Sequence, residues 1–385
     1  MDFSFTEEQI KFRQEVRDFL EAELKAGYWE PSCDAWIQGY NPEFTKRVAQ
    51  KGWIGLTWPK EYGGQGKGPI ERLILTEEML RYGAPAGCHW FADRQVGASI
   101  LAYGTEELKA EFLPGIIKGE LYFGLGMSEP GAGSDLASVQ TRATEDGDYY
   151  IINGQKTWTS CAHFAHYFYI IARTDSDAPK HRGISEFILK ADIPGLNRTP
   201  MIDITGTEAW NDVFFDNVRV HKKYLIGEKN RGFYQILKQL DYERSGMERI
   251  MGNYALFVAI MQFSKENKLS QDPLIRHKLA QIYIEFEVGR LLGYRVFSLM
   301  EEGQPPNWES AISKVYSTEF EKRLANLAIE ILGPYGLLMS GSKFAPIRGI
   351  APHSYLGSKG YSLQGGTTEI LKNIIATRGL GLPSS

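Results

Sequence analysis

The chain has 385 residues, 43% hydrophobic and 23% charged, an ordinary globular balance with length for two or three domains. A net charge of −4 argues against a surface built to grip nucleic acid. Cys33, Cys88 and Cys161 are too few and too scattered for a disulfide framework or a metal site, and no apolar run reaches membrane length. The opening MDFSFTEEQIKFRQE carries acids where a secretory signal needs bases, so a soluble cytoplasmic protein is expected.

Residues 1–120 read as helices. Thr6 and Gln9 form a capping box ahead of Ile10, Phe12, Val16 and Leu20. Asn41-Pro42 opens a second helix running towards Gly52. Trp58-Pro59-Lys60-Glu61-Tyr62-Gly63-Gly64-Gln65-Gly66 is a loop. Its Gly-x-Gly-Lys fragment lacks a preceding strand and a following hydroxyl, so it is no phosphate loop. Helices are predicted over 68–82 and 90–103, and Thr105 opens another ending near Gly119. Asp93 and Arg94 lie beside the apolar stripe of the 90–103 helix. A structural ion pair explains them, and so does a charged pair at a ligand cavity.

From 121 to about 226 short alternating runs replace the helical period. Asp146-Gly147 and Asn153-Gly154 both read as hairpin turns, since these residues tolerate positive φ. Strands are predicted near 137–144, 148–153 and 155–160, then at 166–174, 185–191 and 213–220. An earlier strand leads into Ser128-Glu129-Pro130-Gly131-Ala132-Gly133-Ser134-Asp135, a loop offering bare N–H groups and short hydroxyls. Trp158 and Ser160, two apart on a strand, share a face. Such a set suits a planar ring with a phosphate tail. It suits a structural hairpin with a core Trp equally, and the residues alone leave both open. The short antiparallel strands predict a small barrel or sandwich. Beyond 228, helices over 230–262, 272–301, 305–332 and 367–378 predict an antiparallel four-helix bundle.

SEPGAGSD followed by INGQKTWTS resembles the flavin-binding middle domain of the acyl-CoA dehydrogenase family. The likeness runs from the WPKEYGG loop to the closing QGGTTEILKNIIATRGLGLP. It implies an α+β fold with an N-terminal α-helical domain (1–120), a central antiparallel β-barrel domain (121–227) and a C-terminal four-helix bundle (228–385). It implies FAD, held by Met127, Ser128, Gly133, Ser134, Trp158 and Ser160, with Thr367 and Glu369 towards the adenine end. Gly333 and Gly336 resemble the turn that a neighbouring subunit brings to the dinucleotide, and Ser134 also stands near the CoA phosphates. The implied reaction takes a proton from the α carbon and a hydride from the β carbon of an acyl-CoA thioester. Electrons then pass to an electron-transfer flavoprotein. A dimer of dimers is expected, with or without a paralogous subunit, and no metal.

The base needs its own argument. Many family members carry it as a Glu in the closing loop, where this chain has Gln364-Gly365-Gly366-Thr367. Gly365 has no carboxylate, though its N–H can bond the thioester carbonyl. Upstream, the stripe Ile236, Leu237, Leu240, Met247, Ile250 and Met251 places Glu243 and Arg244 on the core-facing side of a helix. Burial raises such a carboxylate and a neighbouring Arg lowers it, a balance suited to a base. A structural Glu–Arg pair explains the spacing as well. Leu240-Asp241-Tyr242-Glu243-Arg244 is similar to the helix bearing the base in the isovaleryl-CoA and long-chain branch. That resemblance implies Glu243 as base, with Asp241 and Arg244 beside the substrate. Asp93 is an alternative for a cyclic acyl group, and Glu369 a third.

One departure stands out. The family's Arg-x-x-Phe-Gly run, early in the bundle, is missing, and residues 263–272 read FSKENKLSQD. This fits members that pair two unlike subunits, and it leaves open a flavin-poor structural subunit. Oxidase or monooxygenase chemistry on the same flavin is a further alternative. The acyl group is not legible: Trp90, Phe91 and Tyr242 suit a pocket and ordinary packing alike.

Overall fold

A computed structural model describes residues 4–243 and 246–383; the side chains of residues 238–243 lie outside the described residues. The N-terminal helices start where their caps place them. Gln9 N donates to Thr6 Oγ1 at 3.2 Å and Thr6 N donates to Gln9 Oε1 at 3.1 Å, opening α1 (Glu7–Lys25). After α2 (Ala35–Gln38), Phe44 N donates to Asn41 Oδ1 at 2.9 Å and opens α3 (Pro42–Gln50). Then comes α4 (Pro69–Arg81). The helix expected over 90–103 is three pieces: α5 (Gly87–Phe91), a wider π-helical turn Ala92–Val96 and α6 (Gly97–Tyr103). Thr105 caps α7 (Glu106–Ile117).

Among the described residues eight strands follow: β1 (Phe123–Gly126), β2 (Arg142–Asp146), β3 (Tyr149–Ser160), β4 (Tyr167–Arg173), β5 (Ile184–Lys190), β6 (Leu196–Met201), β7 (Trp210–His221) and β8 (Leu225–Ile226). They form one sheet in the order β6-β7-β3-β1-β4-β5-β8, with β2 paired to both β3 and β4. The pairings therefore close a ring β3–β1–β4–β2, the barrel-like part of the sheet. All pairs are antiparallel except β1–β4 and β2–β4, which are parallel.

Asp146-Gly147 makes its hairpin, with Gly147 at φ +56°. Asn153-Gly154 does not: β3 runs straight through it. Gly154 sits at a bulge with φ +146°, where a Cβ would lie 2.6 Å from Thr141 Oγ1, so this glycine answers a close approach and not a turn. The start of the strand expected at 137–144 is a short 3₁₀ turn, Leu136–Ser138. Strand β6 was not anticipated. It is a largely exposed, proline-bearing strand at the end of the sheet order, with no apolar alternation to announce it.

The single helix expected over 230–262 is α8 (Gly232–Glu243), α9 (Met247–Gly252) and α10 (Tyr254–Glu266). Gly246 marks the break before α9, with φ +75° and a Cβ position 2.4 Å from Ser313 Oγ. Next are α11 (Pro273–Glu301) and α12 (Asn307–Leu332), as expected. The unanticipated α13 (Ile350–Tyr361) precedes α14 (Thr368–Ile374).

The chain separates into two compact units, Met1–Trp36, Gly68–Ala84 and Arg244–Ser385 in one, Ile37–Lys67 and Pro85–Glu243 in the other. The N-terminal helical segment thus contributes to both. The fold class is that expected: N-terminal helices, a middle sheet and C-terminal helices. In the sheet unit, Ile152, Phe168, Ile170, Phe187, Val213 and Val218 fill one core. The opposite face buries Ile171 and Ile184 with Val139 and with Ile236 of α8. Glu186 lies on that face too, accepting from Ser99 Oγ of α6 at 2.9 Å and Tyr169 Oη at 2.7 Å, and burial pushes its carboxyl up to about 7. In the helical unit, Glu77 and Glu78 of α4 are buried under Arg13 and Arg17 of α1, and Arg290 and Tyr294 of α11 close on Glu77. Among the described residues, no helix is long and apolar enough to cross a membrane.

Candidate active site

In the sheet unit the Gly-rich loop is pinned from below. Thr157 N donates to Ser128 O at 2.9 Å, and Glu129 and Ala132 exchange backbone bonds of 2.9 and 3.0 Å across a tight turn. Beneath them Lys156 of β3 is fully buried. Its Nζ donates to Met127 O at 3.1 Å and to Glu129 Oε1 at 2.7 Å. The Glu129 carboxylate also accepts from Gln140 N at 2.6 Å and Thr141 N at 2.9 Å. Burial pulls the Lys156 ammonium down to about 8, against the attraction of Glu129. Burial also opposes charge on Glu129, but Lys156 and the hydrogen bonds outweigh it and hold the carboxyl below its usual range.

Above this pair the loop is open. Gly133 and Ser134 are exposed, and a Cβ at Gly131 or Gly133 would meet nothing within 4 Å. Trp158 is 57% exposed and sits at φ +56° in a bulge between Lys156 and Thr159. An indole held in left-handed backbone and shown to solvent is strained, and such strain clusters at functional sites. Thr159 beside it is fully buried and Ser160 half-buried. Met127, Ser128, Gly133 and Ser134 are thus on one loop, tied to the strand that carries Trp158 and Ser160. An open glycine loop with an exposed aromatic ring, set edge-to-face against Trp210, and small hydroxyls fits a flavin dinucleotide.

Asp93 sits in the π-helical turn and is buried. Its Oδ1 accepts from Gly55 N at 2.9 Å, anchoring the loop that follows α3. The Arg94 guanidinium lies over the Trp90 ring, 3.6 Å from its centroid. Trp58 of the WPKEYGG loop packs on Gly97, where a Cβ would lie 2.1 Å from Trp58 Cζ2.

In the helical unit, Gly333 and Gly336 lie in a 3₁₀ turn after α12, while Thr367 and Glu369 open α14, and both segments pack on α12. Gly333 has φ +59°, and a Cβ at Gly336 would lie 2.9 Å from Leu332 Cβ. Thr367 Oγ1 accepts from Ile370 N at 3.3 Å as the helix cap. Glu369, exposed in the first turn, is held below its usual range by the backbone N–H at that helix start and by Thr367. Gly365 and Gly366 have φ of +61° and +100°. Glu243 closes α8, but its side chain and that of Asp241, together with Arg244, lie outside the described residues.

Several polar residues escaped sequence reading. Buried near the closing loop are Arg249, Lys314, Asp34 and Glu321. Burial pushes Asp34 up to about 6 against the pull of Arg249, and raises Glu321 well above its usual value. Lys156 and Glu129 were equally unforeseen. Nothing in their sequence neighbourhoods sets them apart from exposed charges.

Comparison with known proteins agrees with this architecture. Family models described as acyl-CoA dehydrogenase N-terminal, middle and C-terminal domains match residues 6–120, 124–218 and 230–380. Acyl-CoA dehydrogenase FadE26 of Mycobacterium tuberculosis is 32% identical over 399 residues, covering 100% of this chain and 99% of its own. The solved Tcur3481-Tcur3483 steroid ACAD superposes with a TM-score of 0.92 at 32% identity, covering 100% of both chains. The ChsE4-ChsE5 complex from Mycobacterium tuberculosis gives 0.86 at 31%, again covering 100% of both. The chain belongs to the acyl-CoA dehydrogenase family. Its members are oxidoreductases acting on CH–CH bonds.

Proposed function

We propose that this chain catalyses α,β-dehydrogenation of an acyl-CoA thioester, with Glu243 as the base and electrons leaving to an electron-transfer flavoprotein. The observation that carries the reading is the pinned, open loop at Met127–Ser134 beside the exposed, strained Trp158. Met127, Ser128, Gly133, Ser134, Trp158 and Ser160 would hold the flavin end of FAD. Thr367 and Glu369 would serve its adenine end, and Gly333 and Gly336 a dinucleotide across a subunit boundary. When bound, FAD supplies the acceptor for the β hydride. The chain's own part is to hold the acyl group, polarise its carbonyl and remove the α proton. An α proton of a thioester is too weakly acidic for a lone carboxylate, so the Gly365 N–H is assigned to the carbonyl and Glu243 to the proton. Asp241, Arg244 and Ser134 would contact the substrate. Asp93 is set aside as base because it already anchors Gly55. Domain limits near 120/121 and 227/228 accompany this reading.

The likeness to a protein titled a steroid ACAD favours a ring-bearing acyl group. Two of the structural relatives are titled as pairs of unlike chains. Together with the missing Arg-x-x-Phe-Gly run, this favours a second reading in which a paralogous subunit completes the flavin site. Purified protein should be yellow and should bleach anaerobically with a ring-bearing acyl-CoA faster than with straight-chain ones. Colourless protein that takes up flavin only with a partner chain would select the second reading. Rapid reoxidation by O₂ would point to oxidase chemistry.

A further inference from the structure

The closing loop is held by two buried cations that no motif announces. Lys314 of α12 is 3% exposed, and its Nζ donates to the carbonyls of Gly366 at 2.8 Å and Tyr361 at 3.3 Å. Arg249 of α9 is 5% exposed, and its Nη2 donates to Gln364 Oε1 at 3.2 Å. The Arg249 guanidinium also lies over the rings of Tyr361 and Trp36, 4.6 and 4.7 Å from their centroids. Gly365 therefore has a fixed neighbour on each side, Gln364 held by Arg249 and Gly366 held by Lys314.

A plainer explanation is that Lys314 caps the end of α13. Tyr361 is the last residue of that helix, and a cation on a terminal carbonyl is favourable. That accounts for one bond only. The shorter bond reaches Gly366, five residues past the helix end, where no helix carbonyl needs a partner. Burying an ammonium is costly, and the attraction of Glu321, also on α12, offsets part of that cost without requiring the bond to Gly366. The turn supplies a reason for that bond. Gly365 is exposed, a Cβ there would meet nothing within 4 Å, and its backbone lies in the left-handed region. A ligand can approach that backbone directly, and the direction of the Gly365 N–H depends on what grips its neighbours.

We infer that Lys314, assisted by Arg249, is a positioning residue that aims the Gly365 N–H at the thioester carbonyl. The inference rests on the dehydrogenase reading proposed above. Such an N–H acts on the charge developing at the carbonyl oxygen, so its misdirection falls on the chemical step and not on binding.

The test uses the flavin-loaded assembly and the acyl-CoA that reduces the wild-type flavin fastest in a panel. Lys314→Met should lower kcat on the order of 10²-fold, the loss typical of one oxyanion donor. KM should stay within about twofold and flavin content near wild type, while the melting temperature falls because two buried carbonyls lose their donor. Gln364→Ala, which removes only the Arg249 acceptor, should lower kcat by roughly severalfold, again at constant KM. A Lys314→Met enzyme with wild-type kcat, or one whose loss lies entirely in KM, overturns the inference. If Lys314→Met does not fold, Gln364→Ala decides: a fall in kcat at constant KM supports the inference and an unchanged kcat overturns it. Wild-type protein that no acyl-CoA reduces would sink the dehydrogenase reading first and this inference with it, a result visible before any variant is made.

Discussion

Each unit has a loop that carries predicted site residues, and the charges beneath the two loops are arranged differently. Under the Met127–Ser134 loop one cation, Lys156, meets one carboxylate, Glu129, whose oxygens also take two backbone N–H groups. Beneath the Gln364–Thr367 loop, Arg249 and Lys314 share a buried region with Asp34 and Glu321. There, Arg249 Nε and Nη1 and Asp34 Oδ1 find no hydrogen-bond partner among the described residues. The first arrangement is matched and fixes a static cradle. The second leaves buried polar atoms unmatched, a pattern that natural structures tolerate chiefly where function requires it.

The largest effect expected from breaking this contrast is on the sheet side. Lys156→Met leaves Glu129 buried beside backbone donors alone and should cost about 3–5 kcal/mol, read by denaturant unfolding. Flavin should be lost with the loop. Adding Glu129→Gln should recover part of that stability, and a double variant no better than the single would mean that the two residues do not act as a pair.

On the helical side, Asp34→Asn gives a smaller, pH-dependent effect. The Asp34 carboxyl is raised from its ordinary value to about 6 in the folded protein, burial outweighing Arg249. The folded state therefore holds a proton that the unfolded state has released, and wild-type stability falls as pH rises from about 4 to about 6. Asp34→Asn lacks that fall. Its stability relative to wild type should improve across the window and then level off. A difference that stays constant with pH would contradict this. Smallest is Trp158→Gly. Relief of the left-handed backbone should raise stability by at most about 1 kcal/mol, while flavin affinity falls, separating strain kept for the site from strain in the scaffold. Parallel losses of stability and affinity would show that the indole is ordinary packing.

Local signals were read where local chemistry decides. The caps at Thr6, Asn41 and Thr105 and the Asp146-Gly147 hairpin depend on neighbours a few residues away, and all four stand. Asn153-Gly154 misled because its glycine serves contact with Thr141, thirteen residues back, which no short window displays. The break at Gly246 likewise depends on Ser313, a distant neighbour. Family motifs singled out the Met127–Ser134 loop. They did not expose the buried charges that hold it, since Lys156 looks like any strand lysine until β1 and its following loop cover it. For the same reason Arg249 and Lys314 read as surface positions on amphipathic helices.

The central claim is that Glu243 removes the α proton. Anaerobic mixing of the flavin-loaded enzyme with its best acyl-CoA, followed at the flavin absorbance, tests it most directly. Wild type should bleach. Glu243→Gln should keep its colour and bind the same thioester, yet bleach slower by a factor of about 10² to 10⁴. Bleaching of Glu243→Gln at the wild-type rate would contradict the account.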